Sequence, residues 1–240
     1  MATKTNPENL IRHENGTIEL KIRISWPTIE AAFKKELAKA ADQVEVPGFR
    51  KGKAPKDMID PKVDRTAALS QAINVLLPEA YSELVKSHQL KPILYPQIII
   101  DKGKEGEDWE FTATTCEAPT VTVPEYKKEI SKLKAEEGQS KLTPIIEWLR
   151  KNSKVSVPQP LVEEEANHRL SALAENLTQI GLDMTKYLQT KKLSAQDLKA
   201  QTLQAAKIDL ETEFILAQIQ MEQKLDSRAK TLEYLQGMLG

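Results

Sequence analysis

Thr17-Ile18-Glu19-Leu20-Lys21-Ile22-Arg23-Ile24 alternates without a break. Ile18, Leu20, Ile22 and Ile24 fall on one face, and Glu19, Lys21 and Arg23 on the other. A period of two over eight residues predicts a half-buried antiparallel strand. Asn15-Gly16 just before it is a hairpin turn signal, so Asn9 to Arg12 is expected to pair with it. Pro27 then stands where a helix tolerates proline, in its first turn. Ile29, Phe33, Leu37, Ala41 and Val44 recur every three or four residues, which predicts a helix with one apolar face against the sheet.

Further along, Asp64 to His88 carries Ala68, Ala72, Val75, Leu76, Ala80 and Leu84 at helical spacing, with Pro78 expected to bend or interrupt it. Ile93 to Ile100 and Trp109 to Glu117 read as two more strands, the second with Trp109, Phe111 and Ala113 on one face. The order strand-strand-helix-loop-helix-strand-strand predicts an α+β domain over 1–117. Ala118 to Pro124 sets β-branched residues between prolines and reads as an extended linker, assigned to 118–125. From 126 to 240 the period is 3.6 throughout, predicting an all-α domain. Its helices run from Tyr126 to Glu137, from Leu142 to Asn152 and from Pro158 to Gly181, where glycine ends the helix in the left-handed conformation. Asp183 caps a short helix, and Ser194-Ala-Gln-Asp197 forms a capping box for a long one toward Leu225, after which Asp226 starts the last.

Composition narrows the function. Of the 240 residues, 34 are Lys or Arg and 35 Asp or Glu. The two halves balance separately, 17 basic to 18 acidic in 1–117 and 17 to 17 in 118–240, so no global nucleic-acid-binding field exists. Cys116 is the only cysteine and excludes an intramolecular disulfide, which fits a reducing, cytoplasmic setting. Met1 to Asn9 is polar and does not read as a signal peptide, and no apolar run is long enough to span a bilayer. His13, His88 and His168 lack ligand spacing, so neither a metal site nor any other cofactor is expected. Glu163-Glu164-Glu165 reads as a solvated face near a helix start, favoured by the helix dipole. No catalytic motif is present.

One segment asks for more. Pro47-Gly48-Phe49-Arg50-Lys51-Gly52-Lys53-Ala54-Pro55-Lys56 has several cations, no acid, and an aromatic beside an arginine. Glycine permits positive φ there, and proline limits the conformations lost on binding. Arg50 suits fork-like contact with phosphate or carboxylate, while Lys51 and Lys53 act as point charges.

Gly48 to Pro55 resembles the G-F-R-x-G-K-x-P signature of trigger factor, the bacterial chaperone at the ribosomal tunnel exit. The resemblance implies that Phe49, Arg50 and Lys51 dock on the exit-tunnel protein and rRNA, with Gly48, Gly52, Lys53 and Pro55 shaping the loop. Val157-Pro158-Gln-Pro-Leu161-Val162-Glu-Glu-Glu165, Gly181-Leu182, Tyr187-Leu188 and Leu193 through Leu225 are similar to the family's C-terminal helical domain. The family usually carries a peptidyl-prolyl isomerase domain between these parts. Only about Tyr126 to Lys141 stands there, so isomerase activity is expected to be absent, and the end at Gly240 implies a shortened helical domain.

In the long helix, Leu203, Leu210, Phe214, Ala217 and Met221 lie along one side and Ile208, Ile215 and Ile219 along another. Such a helix either sits between two neighbours or leaves a side for a partner. The surplus nominates Leu173, Leu177, Ile208, Phe214, Ile215, Ile219 and Met221 as contacts for nascent or unfolded polypeptides. The expected function is an ATP-independent chaperone docked at the ribosome. The alternatives are a ribosome-independent dimeric holdase, since the family dimerises, and an RNA-binding module using the basic 48–56 loop.

Overall fold

The computed structural model describes residues 9–50, 55–134 and 140–239. The chain forms two compact units, one built from Ile18–Thr115 with the segment ending at Arg12, the other from Cys116 onward with His13–Thr17. The fold is α+β, as the change of period implies.

In the first unit, β1 (Leu10–Arg12) pairs antiparallel with β2 (Thr17–Ile24), Leu10 opposite Leu20 and Arg12 opposite Ile18. Gly16 takes φ +79° in the turn, as the Asn-Gly signal requires. Strands β3 (Gln97–Lys102) and β4 (Trp109–Cys116) complete a sheet of order β1-β2-β4-β3. Ile18, Leu20, Ile22 and Ile24 are all buried, together with Phe111 and Ala113 of β4. β3 begins four residues later than its apolar run suggests. Pro96 lacks the N–H a ladder needs, and the carbonyl of Leu94 accepts the Thr115 hydroxyl instead.

Helix α1 (Trp26–Gln43) meets the sheet through Ile29 only near its start. Phe33 and Leu37 pack on Ala68, Leu69 and Ala72 of α3 (Arg65–Ser87), so the apolar stripe divides between sheet and helix. Asp64 caps α3 by accepting the Ala67 N–H at 2.9 Å. Pro78 does not interrupt α3, whose buried residues lie on both sides of it. Val75, expected inward, is exposed, and Ile73 takes the buried position. Between the helices lie α2 (Lys56–Ile59) and a 3-10 turn, Asp60–Lys62.

Asp108 ties the loop before β4 to the start of α1. One carboxylate oxygen accepts the Trp26 N–H at 2.8 Å and the other accepts from Arg23 at 2.9 and 3.2 Å. The Trp26 N–H, then Arg23, hold the Asp108 carboxyl below the usual carboxylate range. Its contribution is therefore full near neutrality and is lost as pH falls through that lowered range. Urea midpoints measured from pH 6 to pH 2 are expected to fall less steeply in Asp108→Asn than in the native chain. Equal slopes would remove Asp108 from the acid response.

The second unit contains α4 (Lys127–Ile130), α5 (Leu142–Asn152), α6 (Gln159–Gln179), α7 (Met184–Lys191), α8 (Ala195–Glu222) and α9 (Arg228–Gln236). It also holds one pairing that the all-helical expectation omits. β5 (Val121–Thr122) pairs antiparallel with β6 (Lys154–Val155), Val121 opposite Val155. The stretch expected as a linker is extended, but it is hydrogen-bonded structure. The expected Tyr126–Glu137 helix is one turn among the described residues, anchored by buried Tyr126 and Ile130. Gly181 is left-handed, at φ +72°. Asp183 accepts the Lys186 N–H at 2.8 Å. Ser194 and Asp197 exchange both bonds of a capping box, at 3.0 and 3.2 Å. Ser227, not Asp226, caps α9, because its hydroxyl accepts the Lys230 N–H.

Helix α8 lies between neighbours. Ile215, Leu216 and Ile219 pack with Ile145 and Leu149 of α5 and Leu235 of α9. Ala206, with Leu203, Leu210 and Phe214 beside it, packs with Val162 and Ala166 of α6. Arg169 bridges Glu165 and Asp209 at 2.7 and 2.8 Å and so joins α6 to α8. Glu163, Glu164 and Glu165 stand beyond the first turn of α6, so the dipole argument does not apply to them; Glu163 accepts from Gln159 and Glu165 from Arg169 instead.

Cys116 closes β4 with no solvent exposure, and burial pushes its thiol above the ordinary range.

Candidate functional site

Helix α1 ends at Gln43, and the chain turns sharply a few residues later. The Phe49 N–H donates to the Val46 carbonyl at 3.0 Å, closing a four-residue turn with Pro47 and Gly48 at its centre. Gly48 takes φ +85°, the conformation that the third position of a type II turn needs. An added Cβ there would meet nothing within 4 Å, so the backbone angle alone calls for glycine. The turn delivers Phe49 to the surface at 46% exposure, with Arg50 exposed beside it. Pro55 is exposed on the far side and precedes α2. Lys51, Gly52 and Lys53 lie outside the described residues. The α1–α3 packing through Phe33, Ala68 and Ala72 anchors the helices that flank this connection.

The residues nominated for client contact separate into two sets. Leu177, Ile215 and Ile219 are buried within their own unit. Their burial corrects the expectation, since a core side chain has no surface to offer a partner. Leu173 and Ile208 are half-buried. Phe214 and Met221 together line a groove of about 710 Å³, where Met221 is 73% exposed.

Sequence reasoning missed the rest of that groove. Its other wall comes from Ala118, Pro119 and Val121, and Leu225 lies at its end. The pairing of Val121 with Val155 fixes one wall. A left-handed Lys224 fixes the end, because it lets the Leu225 N–H donate to the Gln220 carbonyl at 3.0 Å and folds the side chain back along α8. The alternation in Val121-Thr122-Val123 was a signal for strand, but a two-residue pairing is too short to stand out in sequence. Gln218, Gln220 and Lys224 supply the polar lining, with no carboxylate among the lining residues. The surface can hold apolar side chains and offer amide and ammonium donors to a backbone.

No group of three or more His, Cys, Asp or Glu that could hold a metal occurs among the described residues. No described helix is long and apolar enough to cross a membrane.

The family model for bacterial trigger factor protein matches residues 8–144, and the model for the trigger factor C-terminus matches 125–235. The chain is 36% identical to the trigger factor of Desulforamulus reducens over 126 residues, covering 52% of this chain and 29% of that protein. It is 36% identical to the Mycolicibacterium smegmatis trigger factor over 110 residues, covering 46% and 24%. A solved structure of the trigger factor chaperone is 21% identical, with a TM-score of 0.36, over 59% of this chain and 32% of that one. The chain thus covers less than a third of the length of these curated relatives. With models for both ends of one family meeting inside it, this chain belongs to the bacterial trigger factor family.

Proposed function

We propose that the chain is an ATP-independent chaperone that docks at the ribosomal exit and holds nascent or unfolded polypeptides. Residues 1–117 would dock and residues 126–240 would hold the client. The observation that carries this reading is the type II turn that presents Phe49 and Arg50 together at the surface. Burying Phe49 in a partner is worth about 1.5–3 kcal/mol. Arg50, with Lys51 and Lys53, supplies charge for phosphate or carboxylate.

The groove beside α8 supports the holding step. Met221 and Phe214 offer adaptable apolar contact, and Met tolerates varied shapes. Contacts of this kind are weak singly, and docking raises the local client concentration enough for weak contacts to act. The reading has no isomerase step, which fits the overlap of the two family models across 125–144. Self-association remains outside this reading.

Co-sedimentation with bacterial ribosomes tests it, comparing the native chain with Phe49→Ala/Arg50→Ala/Lys51→Ala. The triple variant is expected to lose pelleting. Native binding is expected to weaken about twentyfold between about 50 and 200 mM salt, if three cations each meet a phosphate on single-stranded RNA. Equal pelleting of both forms, or of neither, would leave a ribosome-independent holdase as the better reading.

A further inference from the structure

Strand β3 stands at the edge of the sheet, yet it carries three consecutive isoleucines. Ile98 and Ile100 stand opposite Ala113 and Phe111, on the face of the sheet that elsewhere forms the core. Ile99 stands opposite Thr112, on the other face. All three are open to solvent, at 38%, 63% and 57% for Ile98, Ile99 and Ile100. Among the described residues, the core layer therefore stops short of the sheet edge, no strand pairs with the outer side of β3, and apolar side chains flank that edge on both faces.

Edge strands are usually blunted by charge, by proline or by a bulge. Here those devices bound the strand and leave its middle open. Pro96 precedes it, and the register shifts between Ile100 and Lys102. The charges at its end are turned back into the sheet. Asp101 accepts from the Thr112 hydroxyl at 2.5 Å and from Lys21 at 3.5 Å, and Lys102 pairs with Glu110 at 2.9 Å. Gln97 to Ile100 thus presents an uncharged edge with its flanking charges neutralised locally.

We propose that β3 is a docking edge for an extended, uncharged, β-branched or apolar polypeptide segment, which adds to the sheet as a further strand. Backbone bonds give affinity without regard to sequence, and the isoleucines select apolar side chains on both faces. An uncharged edge gives no attraction to a charged segment, and a charged one would lose solvation there without compensation. A second copy pairing through this edge alone would form only a short ladder, well under the roughly 1,200–2,000 Å² of a stable interface. This edge is separate from the groove beside α8, and the proposal stands without it.

The test uses the full chain with a short end-blocked peptide of alternating valine and threonine. A matched peptide carries N-methyl groups on alternate amides, which removes the donors of one edge. At saturation with the first peptide, the outward-facing amides of β3 are expected to exchange with solvent about tenfold more slowly. The methylated peptide and Ile99→Lys are each expected to abolish that protection, while Met221→Glu leaves it unchanged. Ile99 is exposed, so its variant keeps the fold, which circular dichroism checks. The proposal is overturned if the peptide leaves β3 exchange unchanged, or if the methylated peptide protects equally. It is overturned too if protection without peptide grows with protein concentration, which would assign the edge to a second copy.

Discussion

Phe111→Ala is expected to lower the stability of the α+β unit by about 3–5 kcal/mol, the cost of emptying a large aromatic site in a close-packed core. Phe111 is almost wholly buried at the centre of β4, among Ile18, Leu20, Ile22 and the apolar residues of α3. Its ring lies 6.0 Å from that of Trp109, tilted by 38°, so tryptophan emission reports directly on the site. The measurement is a urea titration followed at Trp109, with Trp26→Phe/Trp148→Phe removing the other two tryptophans. Ile99→Ala, also within the sheet but exposed, is the control and is expected to stay within about 0.5 kcal/mol of the parent. A shift under about 1 kcal/mol for Phe111→Ala would mean that the β4 face is not the centre of this core. The loss would also reach the turn that carries Phe49, because α1 and α3 pack on this same sheet and flank that connection.

Two residues apart on α8, Ile219 and Met221 are expected to behave in opposite ways. Ile219→Ala is expected to destabilise the helical unit by about 2–5 kcal/mol, because its side chain is fully buried against α5 and α9. Met221→Ala is expected to change stability by no more than about 0.5 kcal/mol, since most of its side chain meets water. Under the proposed function the order reverses for client binding. Met221→Glu is expected to weaken binding of an unfolded model protein by about tenfold, through loss of apolar contact and desolvation of the carboxylate. Urea titration followed at Trp148, which packs against this core, gives the stability. A light-scattering aggregation assay gives the holding activity. Equal destabilisation by the two alanine variants would contradict the division of α8 into a core face and a groove face.

Much of the fold could be read from local pattern. Alternation placed the buried residues of β2, and the caps at Asp183 and Ser194 are side-chain oxygens accepting N–H groups three residues on. What sequence missed was decided by neighbours far along the chain. The division of α1 between sheet and helix depends on where α3 lies. The pairing of Val121 with Val155 depends on a partner 34 residues away and contributes too few bonds to leave a periodic trace. The tip was legible because its chemistry is local, with proline, glycine and the aromatic all within one turn. The surface proposed to hold a client was legible only in part. Apolar residues at helical spacing look alike in sequence, and only tertiary contact separates Ile219, turned to α5, from Met221, turned to the groove.

The single thiol has a practical consequence. With Cys116 sealed at the end of β4 and held protonated by its surroundings, a maleimide probe finds almost no native target while the chain stays folded. A reporter cysteine placed on the exposed tip or along the groove can therefore be derivatised without first deleting the natural one. Slow appearance of adduct at Cys116 itself would then serve as a clock for opening of the strand it terminates.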